Sequence, residues 1–287
     1  MQHFETSYTS NDGLKLYSQS WLPGDKPGSE PKAVVCLVHG MGEHSARYTH
    51  LAEALCGAGY ALCGYDLRGH GRSEGPRGHS PTYEAMLDDI ALLLKEAGGR
   101  CPGRVQFLYG HSLGGNLVLN YALRRRPKIS GVVATSPGLR LGTPQPALKM
   151  ALGKVLYRVW PSVTMPTGLK QEGLSRDRSV AEKYRADPLV HGVVSARFGL
   201  DFLNAGEWAL AHAAEFPLPL LLVHGTADIL TSPEASREFA ARADGRCTLR
   251  LWENCYHETH NEPEKDEVIA YMIGWLDVRL KEEGSRK

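Results

Sequence analysis

The stretch Tyr109-Gly110-His111-Ser112-Leu113-Gly114-Gly115 decides how the rest of the chain is read, because of what lies on either side of it. The run ending in it, Val105-Gln106-Phe107-Leu108-Tyr109, has the composition of a strand. The run that follows, Leu117-Val118-Leu119-Asn120-Tyr121-Ala122-Leu123, has the composition of a helix. A serine on a sharp strand-to-helix turn has an awkward backbone and needs small neighbours. Gly110 and Gly114 meet that need, and Gly115 lets the helix lie close to the strand. The Ser112 hydroxyl then stands at the mouth of a site, with the Leu113 N–H directed where an oxyanion would form. Gly-x-Ser-x-Gly on its own also occurs as a flexible turn. Its weight here comes from its flanks and from partners downstream.

Working outward, strands and helices alternate. Residues 4–22 alternate apolar and polar around the turn Asn11-Asp12-Gly13, as expected of an antiparallel hairpin. A polar loop is expected from Gly24 to Pro31. Ala33-Val34-Val35-Cys36-Leu37-Val38 is a continuous apolar run, the mark of a strand covered on both faces. Helical patterns at Tyr48–Gly57 and Thr82–Ala97 enclose a strand at Tyr60–Tyr65, and Ile129–Thr135 reads as another buried strand. The rhythm breaks between Gly138 and Ala205. It returns with strands at Leu218–Val223 and Thr248–Trp252 and helices at Pro233–Ala243 and Pro263–Leu280. Such alternation predicts an α/β fold with a mainly parallel sheet and helices on both faces. The predicted organisation is a core in two parts, residues 1–137 and 206–287, with a cap inserted at 138–205. Within the cap, Leu148, Leu152, Val155 and Val159 recur at helical spacing. That stripe is expected either to pack on the core or to line an acyl pocket.

Bulk properties narrow the function. The chain has 287 residues, 42% of them apolar, enough for a large core. With 33 basic and 32 acidic residues the net charge is +1, which offers nothing to attract nucleic acid. No run of 18 apolar residues is present, so no membrane-spanning helix is expected. The start, Met1-Gln2-His3-Phe4-Glu5-Thr6, carries no secretory pattern. The six cysteines are scattered rather than arranged as a disulfide framework, so a reducing, cytoplasmic setting is expected.

A serine hydroxyl needs a base, and the base needs an orienting acid. Leu220-Leu221-Leu222-Val223 runs into His224-Gly225-Thr226-Ala227-Asp228, and Leu249-Arg250-Leu251-Trp252 runs into Glu253-Asn254-Cys255-Tyr256-His257. Asp228 is therefore the expected acid and His257 the expected base. Asp244, Asp266 and His260 are rivals set off the strand ends. Taken singly, Asp228 could cap a turn and His257 could be a loop residue; their placement after consecutive strands favours the joint reading. The loop His39-Gly40-Met41-Gly42-Glu43-His44 follows the early buried strand, so the Met41 N–H is expected to join that of Leu113 in an oxyanion hole. No metal or organic cofactor is expected. His257-x-x-His260 lacks zincin spacing on a helix, and no glycine loop carries a phosphate-binding lysine.

At these residues the chain resembles monoacylglycerol lipases and related lysophospholipases, which are α/β-hydrolases. The resemblance is carried by His39-Gly40-Met41-Gly42-Glu43-His44-Ser45-Ala46-Arg47-Tyr48, by Asp66-Leu67-Arg68-Gly69-His70-Gly71-Arg72-Ser73-Glu74-Gly75, by the serine turn, and by Gly225-Thr226-Ala227-Asp228. It extends to Tyr256-His257-Glu258-Thr259-His260 and, in the cap, Tyr184-Arg185-Ala186-Asp187-Pro188-Leu189. It implies an α/β-hydrolase fold with a helical cap, cleavage of single-chain lipid esters, and a polar pocket for glycerol lined by Glu43, Arg47, Tyr184 and His260. Read without the resemblance, Glu43 and Arg47 lie four apart and could form a helix-supporting pair. Dehalogenase-like relatives place aspartate at the elbow, which Ser112 argues against. A broader carboxylesterase or lysophospholipase is the alternative within the class, and a non-catalytic scaffold the alternative outside it. With Lys149, Lys154 and Arg158 on its helix, the cap is also expected to touch membrane surfaces.

Overall fold

The computed structural model describes residues 1–24, 30–143 and 146–285. Most of the loop expected after Gly24 lies outside them. The first strands, β1 (Gln2–Thr9) and β2 (Lys15–Leu22), pair antiparallel around the predicted turn, where Gly13 has φ +89°. Then come β3 (Ala33–Val38), β4 (Tyr60–Tyr65), β5 (Val105–His111), β6 (Gly131–Thr135), β7 (Thr164–Pro166), β8 (Val193–Ser195), β9 (Leu220–Gly225) and β10 (Cys247–Trp252). Eight of these strands form one sheet, in the order β1-β2-β4-β3-β5-β6-β9-β10. From β4 to β10 every neighbour is parallel.

The helices are α1 (Thr49–Gly57), α2 (Tyr83–Arg100), α3 (Leu113–Arg125), α4 (Ala147–Val159), α5 (Arg178–Ala186), α6 (Ala196–Ala211), α7 (Pro233–Arg242) and α8 (Lys265–Gly284). The unbroken apolar run of β3 has its reason in the layers. Val34, Cys36 and Val38 face a core that contains Met86 of α2, Leu117 of α3 and Phe239 of α7. Ala33, Val35 and Leu37 face the opposite core with Leu51 of α1 and Met272 of α8. Side chains alternate across a strand, so a strand covered twice must be apolar at every position. Each such Leu or Val removed from water is worth about 1.5–3 kcal/mol.

Between β6 and β9 lie α4, the antiparallel pair β7–β8, α5 and α6. Helix α6 was not expected. Ser195 caps its start by accepting from the Phe198 N–H at 3.2 Å. One side packs on α3, where Asn120 Nδ2 reaches the Ala205 carbonyl at 3.1 Å, while Leu200, Phe202 and Leu203 line a cavity. Apolar residues on two sides blur the single stripe by which a helix is read from sequence. The expected boundary at residue 205 falls inside this helix.

Helix α4 forms where the spacing predicted it, but its stripe faces neither core nor pocket. Leu148, Leu152, Val155 and Val159 are 83%, 50%, 57% and 77% exposed. Met150 and Gly153 line the cavity instead. Spacing identifies the apolar face of a helix and says nothing of what covers it.

Candidate active site

Ser112 sits at the carboxyl end of β5, immediately before α3, with φ 55° and ψ −112°. A non-glycine residue with this backbone is strained, and the surroundings must hold it there. They do so in two ways. The Ser112 N–H donates to the Thr135 carbonyl of β6 at 2.9 Å. The flanking glycines allow a closeness that no side chain would: a Cβ on Gly110 would strike the Gly114 carbonyl, and one on Gly114 the Val38 carbonyl at the end of β3. A Cβ on Gly115 would press on Pro137. Residues 110, 114 and 115 are thus glycine because the elbow is wedged between the ends of β3 and β6.

That wedge brings the loop after β3 beside the serine. A Cβ on Gly40 would lie 3.3 Å from Ser112 Cβ. Leu113 is the first residue of α3, so its amide has no acceptor within the helix. Neither it nor the Met41 amide has an acceptor among the described residues, and both residues line the same cavity.

Asp228 and His257 come together from the loops after β9 and β10. A Cβ on Gly225 would strike the Cys255 and Tyr256 carbonyls, so the two loops lie in contact. His257 Nδ1 lies 2.7 Å from Asp228 Oδ2, and both residues are buried. The other carboxylate oxygen accepts from the Leu230 and Thr231 amides at 2.7 and 3.1 Å. Burial pushes the Asp228 carboxyl up, but His257 and His224 override it and hold the group far below the usual carboxylate range. Burial likewise disfavours a charged His257, yet the Asp228 charge wins and raises its pKa above the ordinary imidazole value. His111 lies 4.8 Å from His257, ring to ring, and is driven well below its ordinary value by burial and by His257.

Ser112 and His257 open onto one cavity of about 260 Å³, walled by Leu141, Met165, Phe202 and Ile229 among others. Asp228 lies behind His257, away from it. Among the described residues, no hydrogen bond of 3.5 Å or less joins the Ser112 hydroxyl to His257. A serine–histidine contact of this kind tightens when substrate arrives.

Glu43, Arg47, Tyr184 and His260 are also brought together, but none of them lines that cavity. Glu43 is buried and accepts from the Gly40 N–H at 2.5 Å, from Tyr48 Oη at 2.7 Å and from Arg47. Burial raises its pKa, but Arg47 and then His39 outweigh that, and the carboxyl stays below its ordinary value. Arg47 makes a bidentate pair with Glu258, 2.8 Å on each arm, and lies over the Tyr184 ring at 4.9 Å. Tyr184 Oη donates to the Met41 carbonyl at 3.4 Å. His260 stacks on Tyr48 at 5.0 Å and meets His111 edge-on at 4.7 Å. These groups face one another and grip the loop that carries Met41.

Three residues near the site went unnoticed in the sequence. Ser136, at φ 43°, donates its hydroxyl to the His257 carbonyl at 2.6 Å. Thr231 Oγ1 lies 2.9 Å from Asp228 Oδ2 and 3.0 Å from the Ser136 carbonyl. His224 Nε2 lies 3.0 Å from Asp228 Oδ2. Only His224 had a signal, four residues ahead of the expected acid at the end of its strand. The metal-like cluster found among the described residues, Cys255, Glu262 and Glu264, is spanned by Arg176, which contacts all three.

An elbow serine after the fifth strand, met by loops from the last two parallel strands, defines an α/β-hydrolase. Residues 29–264 match the family described as serine aminopeptidase, S33. Over 278 residues the chain is 32% identical to a monoacylglycerol lipase of Mycolicibacterium smegmatis, covering 96% of this chain and 98% of that one. The solved structure of a Paleococcus ferrophilus monoacylglycerol lipase superposes with a TM-score of 0.84 at 37% identity, covering 92% of this chain and 99% of that one. The chain is also 37% identical to an uncharacterized abhydrolase domain-containing protein of Dictyostelium discoideum, of whose length it spans 30%. The chain belongs to the monoacylglycerol lipase and lysophospholipase family of α/β-hydrolases.

Proposed function

We propose that this chain hydrolyses carboxylic esters of single-chain lipids, monoacylglycerol foremost, through an acyl-enzyme. Ser112 Oγ attacks the ester carbonyl carbon while His257 accepts its proton. Asp228 holds the imidazole tautomer and stabilises the cation that forms. The Met41 and Leu113 amides stabilise the tetrahedral oxyanion, each worth about 3 kcal/mol in such holes. Collapse expels the glycerol oxygen, which takes the proton from His257. Water then attacks the acyl-serine by the same steps and releases the fatty acid. Glu43, Arg47, Tyr184 and His260 serve this reaction by fixing the oxyanion loop and the polar ground behind it.

The observation that carries the reading is the apolar cavity onto which both Ser112 and His257 open. A fatty chain fits such walls, and the ester then lies at the serine. The test compares turnover of monoacylglycerols, lysophosphatidylcholine and short aryl esters by wild type and Ser112→Ala. Monoacylglycerol turnover should dominate and fall at least about a thousandfold in the variant. Turnover of aryl esters alone would end the lipid reading; a Ser112→Ala variant of near-normal activity would end the nucleophile reading.

The insertion between β6 and β9, in place of the expected 138–205, is proposed to act as the cap over this cavity, to which Met150, Met165 and Val194 contribute walls. We further propose that α4 rests on a lipid surface. Its outward stripe is joined by Trp160, 62% exposed, and by exposed Lys154 and Arg158. The Lys149 side chain lies outside the described residues. No helix among the described residues is long and apolar enough to cross a membrane. Apolar side chains flanked by cations suit the interface of an anionic bilayer.

A further inference from the structure

Asp228 serves two imidazoles. Its Oδ2 lies 2.7 Å from His257 Nδ1 and 3.0 Å from His224 Nε2. His224 is part of β9 and fully buried, and its Nδ1 lies 2.8 Å from the hydroxyl of Ser236, equally buried on α7. The proposed reaction uses neither residue. An imidazole with an oxygen at each end has little choice of tautomer. An ionised carboxylate can only accept, so Nε2 carries the hydrogen. In the neutral ring Nδ1 is then the acceptor, and the Ser236 hydroxyl donates to it. Donation therefore runs from Ser236 through His224 to Asp228, and His257 donates to the same oxygen from the other side.

We propose that His224 is a positioning residue of the reaction: by donating to Asp228 Oδ2 it limits how strongly that carboxylate holds the His257 cation. The proposal rests on Asp228 and His257 being acid and base. Asp228 stays in place without His224, because the Leu230 and Thr231 amides hold Oδ1. The Thr231 hydroxyl also lies near Oδ2, although its one proton is shared with the Ser136 carbonyl. Removing His224 therefore changes the charge density on Oδ2 rather than its location. With one donor fewer, the carboxylate grips the His257 proton harder, and the base is harder to free. The other ionisable groups acting on His257 are His111 from β5 and the carboxylates Glu43 and Glu258, with Arg47 pairing both. None of these hydrogen-bonds His224 among the described residues.

The test is the pH dependence of kcat/KM, with melting temperature in parallel, for wild type, His224→Leu, His224→Gln, Ser236→Ala and Asp228→Asn. His224→Leu should move the acid-limb midpoint up by roughly half a pH unit, an extra loss of about threefold at low pH relative to the plateau. His224→Gln, whose amide nitrogen can stand in for Nε2, should restore the midpoint even if it melts lower. The downfield His257 Nδ1 proton resonance should shift in the leucine variant and return in the glutamine variant. If His224→Leu does not fold, Ser236→Ala carries the test, with a smaller shift in the same direction, because an unassisted His224 is a weaker donor. A midpoint that stays or moves down in a folded variant overturns the proposal. Failure of the underlying reading is distinct: Asp228→Asn would then leave the acid limb where it is.

Discussion

At the scale of single residues, the site depends on charges taken out of water and then paired. His257 is buried, which alone would push its pKa down, yet Asp228 raises it. In the proposed reaction the neutral imidazole is the base, so kcat/KM should rise with pH through a midpoint above the ordinary imidazole value of about 6.5. In Asp228→Asn the carboxylate charge is gone and burial remains, so that midpoint should move to lower pH while the plateau falls by roughly four orders of magnitude. A pH–rate series on both proteins checks the sign. An unmoved limb would mean that another group titrates. The glycines around Ser112 belong to this scale as well, since each is required by a named carbonyl or side chain rather than by general flexibility.

At the scale of elements, α4 stands out. Most helices here bury their apolar stripe, and this one presents it to solvent. Wild type should co-sediment with vesicles containing anionic phosphatidylglycerol. Replacing Leu148 and Val159 by serine should weaken that binding several-fold while leaving turnover of a dissolved short-chain ester unchanged. Both positions are more than three-quarters exposed, so folding has little to lose. Equal sedimentation of the two proteins would refute the docking. The loop of Asp66 to Gly75 has a plainer role than its motif suggests. Asp66 Oδ1 accepts from the Ser45 amide at 2.9 Å, and its other oxygen from the Arg72 amide at 2.8 Å, which ties this loop to the one carrying Met41.

At the scale of the whole molecule, a buried ion pair joins this loop to the helical layer. Arg68 is 2% exposed and Asp89 of α2 1%; Arg68 Nε lies 2.7 Å from Asp89 Oδ2 and Nη2 2.9 Å from Oδ1. Arg68 also reaches Asp12 at 2.8 Å, so the hairpin turn, the loop and α2 share one cation. Arg68→Ala leaves Asp89 buried without its partner, at a cost of about 3–5 kcal/mol. For a chain of this size the melting temperature should fall by roughly 6–10 °C, measurable by calorimetry. A fall of a degree or less would show that Asp89 is otherwise satisfied. The same substitution should leave the pH midpoint of activity in place, because the pair has no hydrogen bond to Asp228 or His257.

The alternation of strands and helices outside the insertion between β6 and β9, the serine turn after β5 and the two loops that meet it were legible in the residues themselves. Continuous apolar runs, alternating patterns and glycine turns are local consequences of covering a sheet on two faces, and a local signal survives in a linear string. What packs on what was not legible. The exposure of the α4 stripe, the helix at Ala196–Ala211, and the turning of Glu43, Arg47, Tyr184 and His260 toward one another were settled in three dimensions. So was the sharing of Asp228 between His257 and His224. Periodicity names a face and spacing names a strand end, but burial and hydrogen bonding depend on residues far along the chain, and only folding brings those within reach.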